Sequence, residues 1–359
     1  MAKIALITDT HFGFKNDSFQ FLEYFDKFYE RVFFPKLVKA GVDGICHLGD
    51  IVDRRKYINY VTLNKFHSMF LERALAYPIT VLVGNHDVPY RNTNEVNALS
   101  ELLRRSKGVR VVSEPTEAVF GSCSVLLMPW INSGNYGSCM SAIKETKSQV
   151  LFGHLEIKGF EMQRGQPSHD GFDMKVFDKF DVVCSGHFHR KSASGNISYL
   201  GAPYELTWAD HDDARGFHFF DTETREIEFV KNPYSIYKKL WYNDSNKKLS
   251  EVMDIDTDSL RETHVKIIVT EKINPYWFEK YVDLVNGSGA YSVQVVDDHK
   301  NADSDIDDEE VERAEDTMTV ISGYVNGLGL DGSSKSSLEK LMRDLYEKAS
   351  KMEETSDSI

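Results

Sequence analysis

The chain has 359 residues, 41% hydrophobic and 27% charged, the profile of an ordinary globular protein with room for about two domains. The net charge of −14 is uneven: residues 301–359 hold 16 acidic and six basic side chains, leaving a balance of only −4 for the first 300. That distribution does not exclude a nucleic-acid substrate for the body, although no strongly basic face stands out. No apolar run approaches the ~18 residues of a membrane span, and the opening residues run straight into a strand and a polar motif, with no room for a signal peptide. Cys46, Cys123, Cys139 and Cys184 form no CxxC pair and read as core thiols of a reducing cytoplasm.

In chain order, KIALIT reads as a buried strand, followed by a helix over 18–40. There Phe21, Phe25, Phe28 and Val32 share one face, and Pro35 is expected to end or kink the helix. GICHL and ITVLV are further strands. Residues 59–76 and 93–106 have amphipathic helical patterns, the second capped by Asn92 or Thr93. From about Val119 the pattern is strand-rich: SVLLMPW, SQVLFGH, DVVCSGH, ISYLGAP and GFHFFDTET. The expected fold is α/β, two packed mixed sheets flanked by helices in a four-layer sandwich. A boundary near 230–240 leads to a small α+β domain, with a strand, helix and strand over 263–300. Residues 301–316, nine acidic and one Arg, read as a solvated linker. Helices over about 308–326 and 335–352 would form a terminal hairpin, too small to bury its own apolar face.

The chemistry sits at strand ends. Asp9-Thr10-His11, Gly49-Asp50-Ile51-Val52-Asp53, Gly84-Asn85-His86-Asp87, Gly153-His154 and Gly186-His187-Phe188-His189 each follow an apolar run. In open α/β sheets ligands bind at the carboxyl ends of the strands. Asp9 and His11, like His187 and His189, are two residues apart and point to one side. With Asp50, Asn85 and His154 they make seven ligands, suited to two cations about 3.5–4 Å apart. A carboxylate can bridge two cations and an imidazole cannot, so Asp50 is the natural bridge. Oxygen and nitrogen donors without thiolate favour Mn, Fe or Zn. Isolated polar strand ends are the bland alternative, and five of them in one chain argue against it. His47, His67, His169, His211, His218, His264 and His299 lack this context and read as surface or satisfied core residues. Trp130 and Trp208, near ligand strands, read as core packing.

The ordered set DxH, GDxxD, GNHD, GH and GHxH, over residues 1–220, resembles the calcineurin-like metallophosphoesterase superfamily. The resemblance implies one metal on Asp9, His11, Asp50 and His189 and a second on Asp50, Asn85, His154 and His187. His86 would stand beside the scissile phosphate, oriented by Asp87. Two such cations activate a water and neutralise the phosphoryl oxygens, while His86 protonates or stabilises the leaving oxygen.

The stretches GDIVDRRKYIN, VGNHDVPYRN, LMPWI, FGHLEIKGF and YLGAPYELTWADHDDARGFHFFDTET resemble the SbcD-type DNA-repair nuclease subunit, nearest to the recombination endonuclease subunit of tailed phages. That resemblance implies an exonuclease and endonuclease on DNA ends, duplex and single-stranded. Its metals would be two manganese ions, with magnesium a weaker substitute. It also implies an SbcC-type coiled-coil ABC ATPase bound through the C-terminal hairpin, and a homodimer through the helices near 59–76 and 93–106. The work would be done in the cytoplasm, the host's if a phage encodes the chain. The implied domains are a nuclease domain over 1–232, a capping and DNA-binding domain over 233–300, a linker over 301–316 and an ATPase-binding helix-loop-helix over 317–359. Some members carry His where this chain has Asp53. Asp53, Arg54, Arg55, Tyr90 and Arg91, with Lys56, are candidate DNA contacts on the motif loops, a solvated loop being the alternative. A phosphatase or small phosphodiesterase not acting on DNA is the competing function.

Overall fold

In the computed structural model, the described residues are 2–163, 166–296 and five positions of a terminal helical stretch (Leu338, Lys340, Leu341, Met342 and Leu345). The acidic linker and the first helix of the expected hairpin lie outside them.

The strands, in chain order, are β1 (Lys3–Ile7), β2 (Gly44–His47), β3 (Ile79–Leu82), β4 (Val109–Val112), β5 (Thr116–Phe120), β6 (Cys123–Met128), β7 (Val150–His154), β8 (Glu161–Gln163) and β9 (Gln166–Pro167). They continue as β10 (Val182–Gly186), β11 (Ser192–Ser194), β12 (Ile197–Tyr199), β13 (Gly216–Asp221), β14 (Ile227–Lys231), β15 (Tyr237–Asn243), β16 (His264–Glu271) and β17 (Ser292–Val296). One six-stranded sheet has the order β14-β13-β1-β2-β3-β4 and a second the order β11-β12-β10-β7-β6-β5. In each, parallel central strands meet antiparallel neighbours, so both are mixed.

Strand alternation builds the layers. Ile4 and Leu6 of β1 join Cys46, Leu82, Val125, Phe152 and Cys184 in the core between the sheets. Ala5 and Ile7 face the other way, onto an aromatic-rich helical layer containing Phe21, Phe25, Phe28 and Phe70. Leu151 and Val183 face the opposite helix, Tyr136–Glu145, through Cys139 and Ile143. This is the expected four-layer sandwich. All four cysteines are free and buried.

Pro35 does not end its helix. The chain runs helical from Phe19 to Ala40 through a π-helical turn at Tyr29–Phe33, and Pro35 falls in the first turn of the segment after it. There its missing N–H costs little. The helix expected over 93–106 is shorter, Ala98–Leu103, and its cap is Asn97, which accepts from Ser100 N at 2.7 Å. Asn94, inside the expected helix, is instead buried and donates to the carbonyls of Ser113 and Trp130.

Beyond β14 a parallel sheet β15-β16-β17 packs its own core of Tyr242, Val265, Ile267, Tyr281 and Val285 under the helix Pro275–Asn286. β15 is a strand the residue pattern had not marked. It is tied to the sandwich by buried Glu205, whose carboxylate accepts from Ser235 Oγ and the amides of Ile236 and Tyr237 at 2.8–3.1 Å.

Candidate metal centre

β1, β2, β3, β7 and β10 deliver their motifs to one edge of the sandwich. The loops after β1 and β2 run side by side: Thr10 N and His11 N both donate to the Asp50 carbonyl, at 2.9 and 3.2 Å. Asp9, His11, Asp50 and His187 all take positive φ, at 52°, 41°, 55° and 94°. Such backbone costs of order 1–3 kcal/mol per residue and collects at functional sites. The glycines of the motifs allow the close approach. A Cβ on Gly186 would overlap Thr8 Oγ1 and press on Asp9, and one on Gly84 would overlap the Asp50 carboxylate.

The seven expected ligands converge. Asp9, His11 and His189 form one cluster, in which His11 Nε2 and His189 Nε2 are 3.0 Å apart. Asp50, His154 and His187 form another, and Asn85 Oδ1 sits 2.9 Å from His154 Nε2 and 3.0 Å from His187 Nδ1. Asp50 Oδ2 lies 3.4 Å from His154 Nε2 and 3.9 Å from His11 Nε2, facing both groups as a bridging carboxylate must. His154 Nδ1 lies 2.7 Å from the Leu48 carbonyl, so it carries the proton and leaves the Nε2 lone pair directed inward.

The charges are mutually dependent. Burial opposes charge on His11 and His154, yet the Asp53 carboxylate beside His11 raises the first and the Asp50 charge raises the second, each to about 9. Burial, aided by nearby His154, pushes His187 down to about 3, and burial with His11 holds His189 well below its usual range. Protons on His11 and His154 would offset the buried carboxylates. A divalent cation in each cluster does so with every imidazole neutral, and the donor set of oxygen and nitrogen fits such ions.

Three expected roles change. Asp87 does not orient His86. It is fully buried, and its carboxylate accepts from the amides of Asp50, Ile51, Val52 and Gly84 at 2.8–3.2 Å, so it shapes the Asp50 loop. Burial and the Asp50 charge push it up to about 7, against those amide bonds. His86 is oriented by Asp53: its Nδ1 lies 2.6 Å from the Asp53 carbonyl. The Asp53 carboxylate faces inward, 3.4 Å from His11 Nδ1. Arg54 is committed to Asp17 and Asn16 at 2.8 Å each. Of the other loop candidates, Arg55 is half-buried, while Lys56, Tyr90 and Arg91 are exposed.

Other residues took their roles only through folding. Buried Arg215 donates to the His189 carbonyl and pairs with Asp210 at 2.5 Å, which holds the last ligand loop from behind. His47 is a satisfied core residue, between Gly49 N and Thr10 Oγ1. His218 is not: it is buried, and among the described residues its Nδ1 has no partner. Trp208 is core, its ring 4.4 Å from that of Tyr237, but Trp130 is half-buried with its ring 5.0 Å from that of His187.

Comparison with known proteins places the chain in a family. Residues 2–191 match the family model described as calcineurin-like phosphoesterase, and the chain belongs to the calcineurin-like metallophosphoesterase superfamily. Within it the chain is related to the phage SbcD-type exonuclease subunits. It is 32% identical over 353 residues to "Exonuclease subunit 1" of Enterobacteria phage T4, covering 97% of this chain and 99% of that protein. Among solved structures, a novel archaeal phosphodiesterase matches 64% of this chain and 99% of its own at 14% identity, with a TM-score of 0.34. A purple acid phosphatase from yellow lupin (Lupinus luteus) seeds matches 61% of this chain and 48% of its own at 12% identity, with a TM-score of 0.36. The chain is thus a metal-dependent phosphoesterase with a binuclear site. Among the described residues, no helix is long and apolar enough to cross a membrane.

Proposed function

We propose that this chain hydrolyses phosphodiester bonds of DNA, as an exonuclease and endonuclease acting at DNA ends, and is the nuclease subunit of an SbcCD-type complex. The observation that carries the reading is the near full-length match to an exonuclease subunit, laid over a site whose ligands all converge.

In this reading Asp9, His11, Asp50 and His189 hold one cation, and Asp50, Asn85, His154 and His187 the other. When bound, the pair supplies Lewis acidity and an activated water. His86 is half-buried, and burial holds its imidazole below the usual range, which favours the neutral form near pH 7. With Nδ1–H on the Asp53 carbonyl, Nε2 can accept or relay a proton at the leaving oxygen. Asp53 keeps His11 and His86 in register. Manganese is the expected metal and magnesium a weaker one.

Residues 1–232 would form the nuclease domain and 233–300 a capping domain. Residues 317–359, after the linker over 301–316, would dock on a coiled-coil ATPase. Self-association through the helical region near 59–76 and 93–106 is supported by apolar surface at its start, where Tyr60 is 86% exposed beside Tyr57 and Val61.

The test is purified protein with manganese on end-labelled single- and double-stranded DNA, with His86→Ala and a phosphomonoester dye alongside. DNA degradation that falls by about 10²–10⁴ in the variant is the expected result. Dye turnover with intact DNA, persisting when the coiled-coil ATPase is added, would overturn it in favour of a phosphatase.

A further inference from the structure

We propose that Trp130 is a positioning residue for the second metal, its indole setting the His187 ring, whose Nε2 faces no hydrogen-bond partner among the described residues. The inference rests on the binuclear reading given above.

His154 gives its second ring nitrogen to the Leu48 carbonyl, and His11 faces Asp53 Oδ1. His189 is held through its main-chain carbonyl by Arg215. His187 differs from these. Its Nδ1 faces Asn85 Oδ1, and among the described residues no hydrogen-bond partner faces its Nε2. Its backbone takes a φ of 94°, so local conformation does not favour its placement either. What flanks the ring is aromatic: Trp130 at 5.0 Å with 43° between planes, Phe188 at 5.0 Å and His154 at 5.4 Å. Phe188 belongs to the core beneath, and Trp130 belongs to none of the hydrophobic cores of the sandwich.

The main chain of Trp130 is nevertheless tightly fixed. Its N–H donates to the Val83 carbonyl at 2.7 Å, and its carbonyl accepts from Asn94 Nδ2 at 2.8 Å and Asn135 Nδ2 at 2.9 Å. Asn132 Nδ2 donates to Asn94 Oδ1, and Asn132 N to Asn135 Oδ1, each at 2.8 Å. All three asparagines are buried, and a buried polar network satisfied in this way specifies one conformation. The network joins the segment after Asn85 to the loop after β6, and the group it aims is an indole laid against a metal ligand. Partners behind a metal-binding imidazole typically change metal affinity by about 10–100-fold.

Manganese binding by the whole protein, followed by calorimetry and electron paramagnetic resonance, tests this in wild type, Trp130→Ala, Trp130→Phe and Trp130→Leu. The expected result is two equivalents in wild type. One of them should weaken by about tenfold or more in Trp130→Ala and recover in Trp130→Phe. Should the alanine variant not fold, Phe against Leu decides, since Leu keeps bulk without a flat ring; Phe is expected near wild type and Leu weak. Two unchanged equivalents in Trp130→Ala, or equal weakening of both with no recovery in Phe, would overturn the role of Trp130. Fewer than two equivalents in wild type would instead overturn the binuclear reading, and the proposal with it.

Discussion

At the edge where β1, β2, β3, β7 and β10 end, polar side chains converge on shared centres, on backbone where non-glycine residues take positive φ. At the edge where those strands begin, polar groups meet in small local sets that leave no charges facing one shared centre. Lys3 N donates to Asp43 at 2.8 Å, Arg225 pairs with Asp181, and Glu117 accepts from Ser124 and Ser148. The cores beneath the two edges are the same. Polar content therefore does not mark the site. Donors that face one another with charges left to balance mark it, together with backbone held in a costly conformation.

The contrast can be broken hardest at Asp50. Asp50→Ala removes the carboxylate that both clusters face; elemental analysis should find neither metal retained, and two retained metals would refute the bridge. Next is Asp53→Ala, which removes the brace on His11 Nδ1 and keeps the main-chain bond to His86. Metal affinity at the Asp9 cluster should fall about 10–100-fold while the other equivalent holds, as read by the same manganese titration. Between the edges, His218 on β13 tests a buried polar group with no ligand to hold. Burial, helped by Lys191, lowers it from about 6.5 to about 3. The folded state therefore binds its proton less well than the unfolded chain. The stability it lends is complete above pH 6.5 and is lost as pH falls toward 3. Denaturant unfolding of His218→Phe should gain on wild type by about 2 kcal/mol between pH 7.5 and pH 5; parallel profiles would reject this. The smallest effect belongs to the opposite edge. Glu117→Ala, at an exposed site of local hydrogen bonds, should shift stability by no more than about 0.5 kcal/mol and leave metal binding unchanged.

The residues alone determined much of this protein. Each candidate ligand motif follows a short apolar strand, and Asp50, Asn85, His154 and His187 each stand directly behind a glycine, so the candidate ligands, the converging edge and the layered fold are written in patterns a few residues long. Phe21, Phe25 and Phe28 announce their buried face in the same way. Tertiary structure decided what depends on partners far apart in the chain. Asp87 meets the amides of Asp50 to Val52 some 35 residues away, and His154 meets Leu48 across 106. Arg215 reaches back 26 residues to the His189 carbonyl. Which nitrogen of an imidazole points inward, which carboxylate binds metal and which shapes a loop, and why Trp130 stands beside His187 all follow from that packing. Local periodicity reports which face of a strand or helix is buried, and it carries no information about which groups meet across the sandwich.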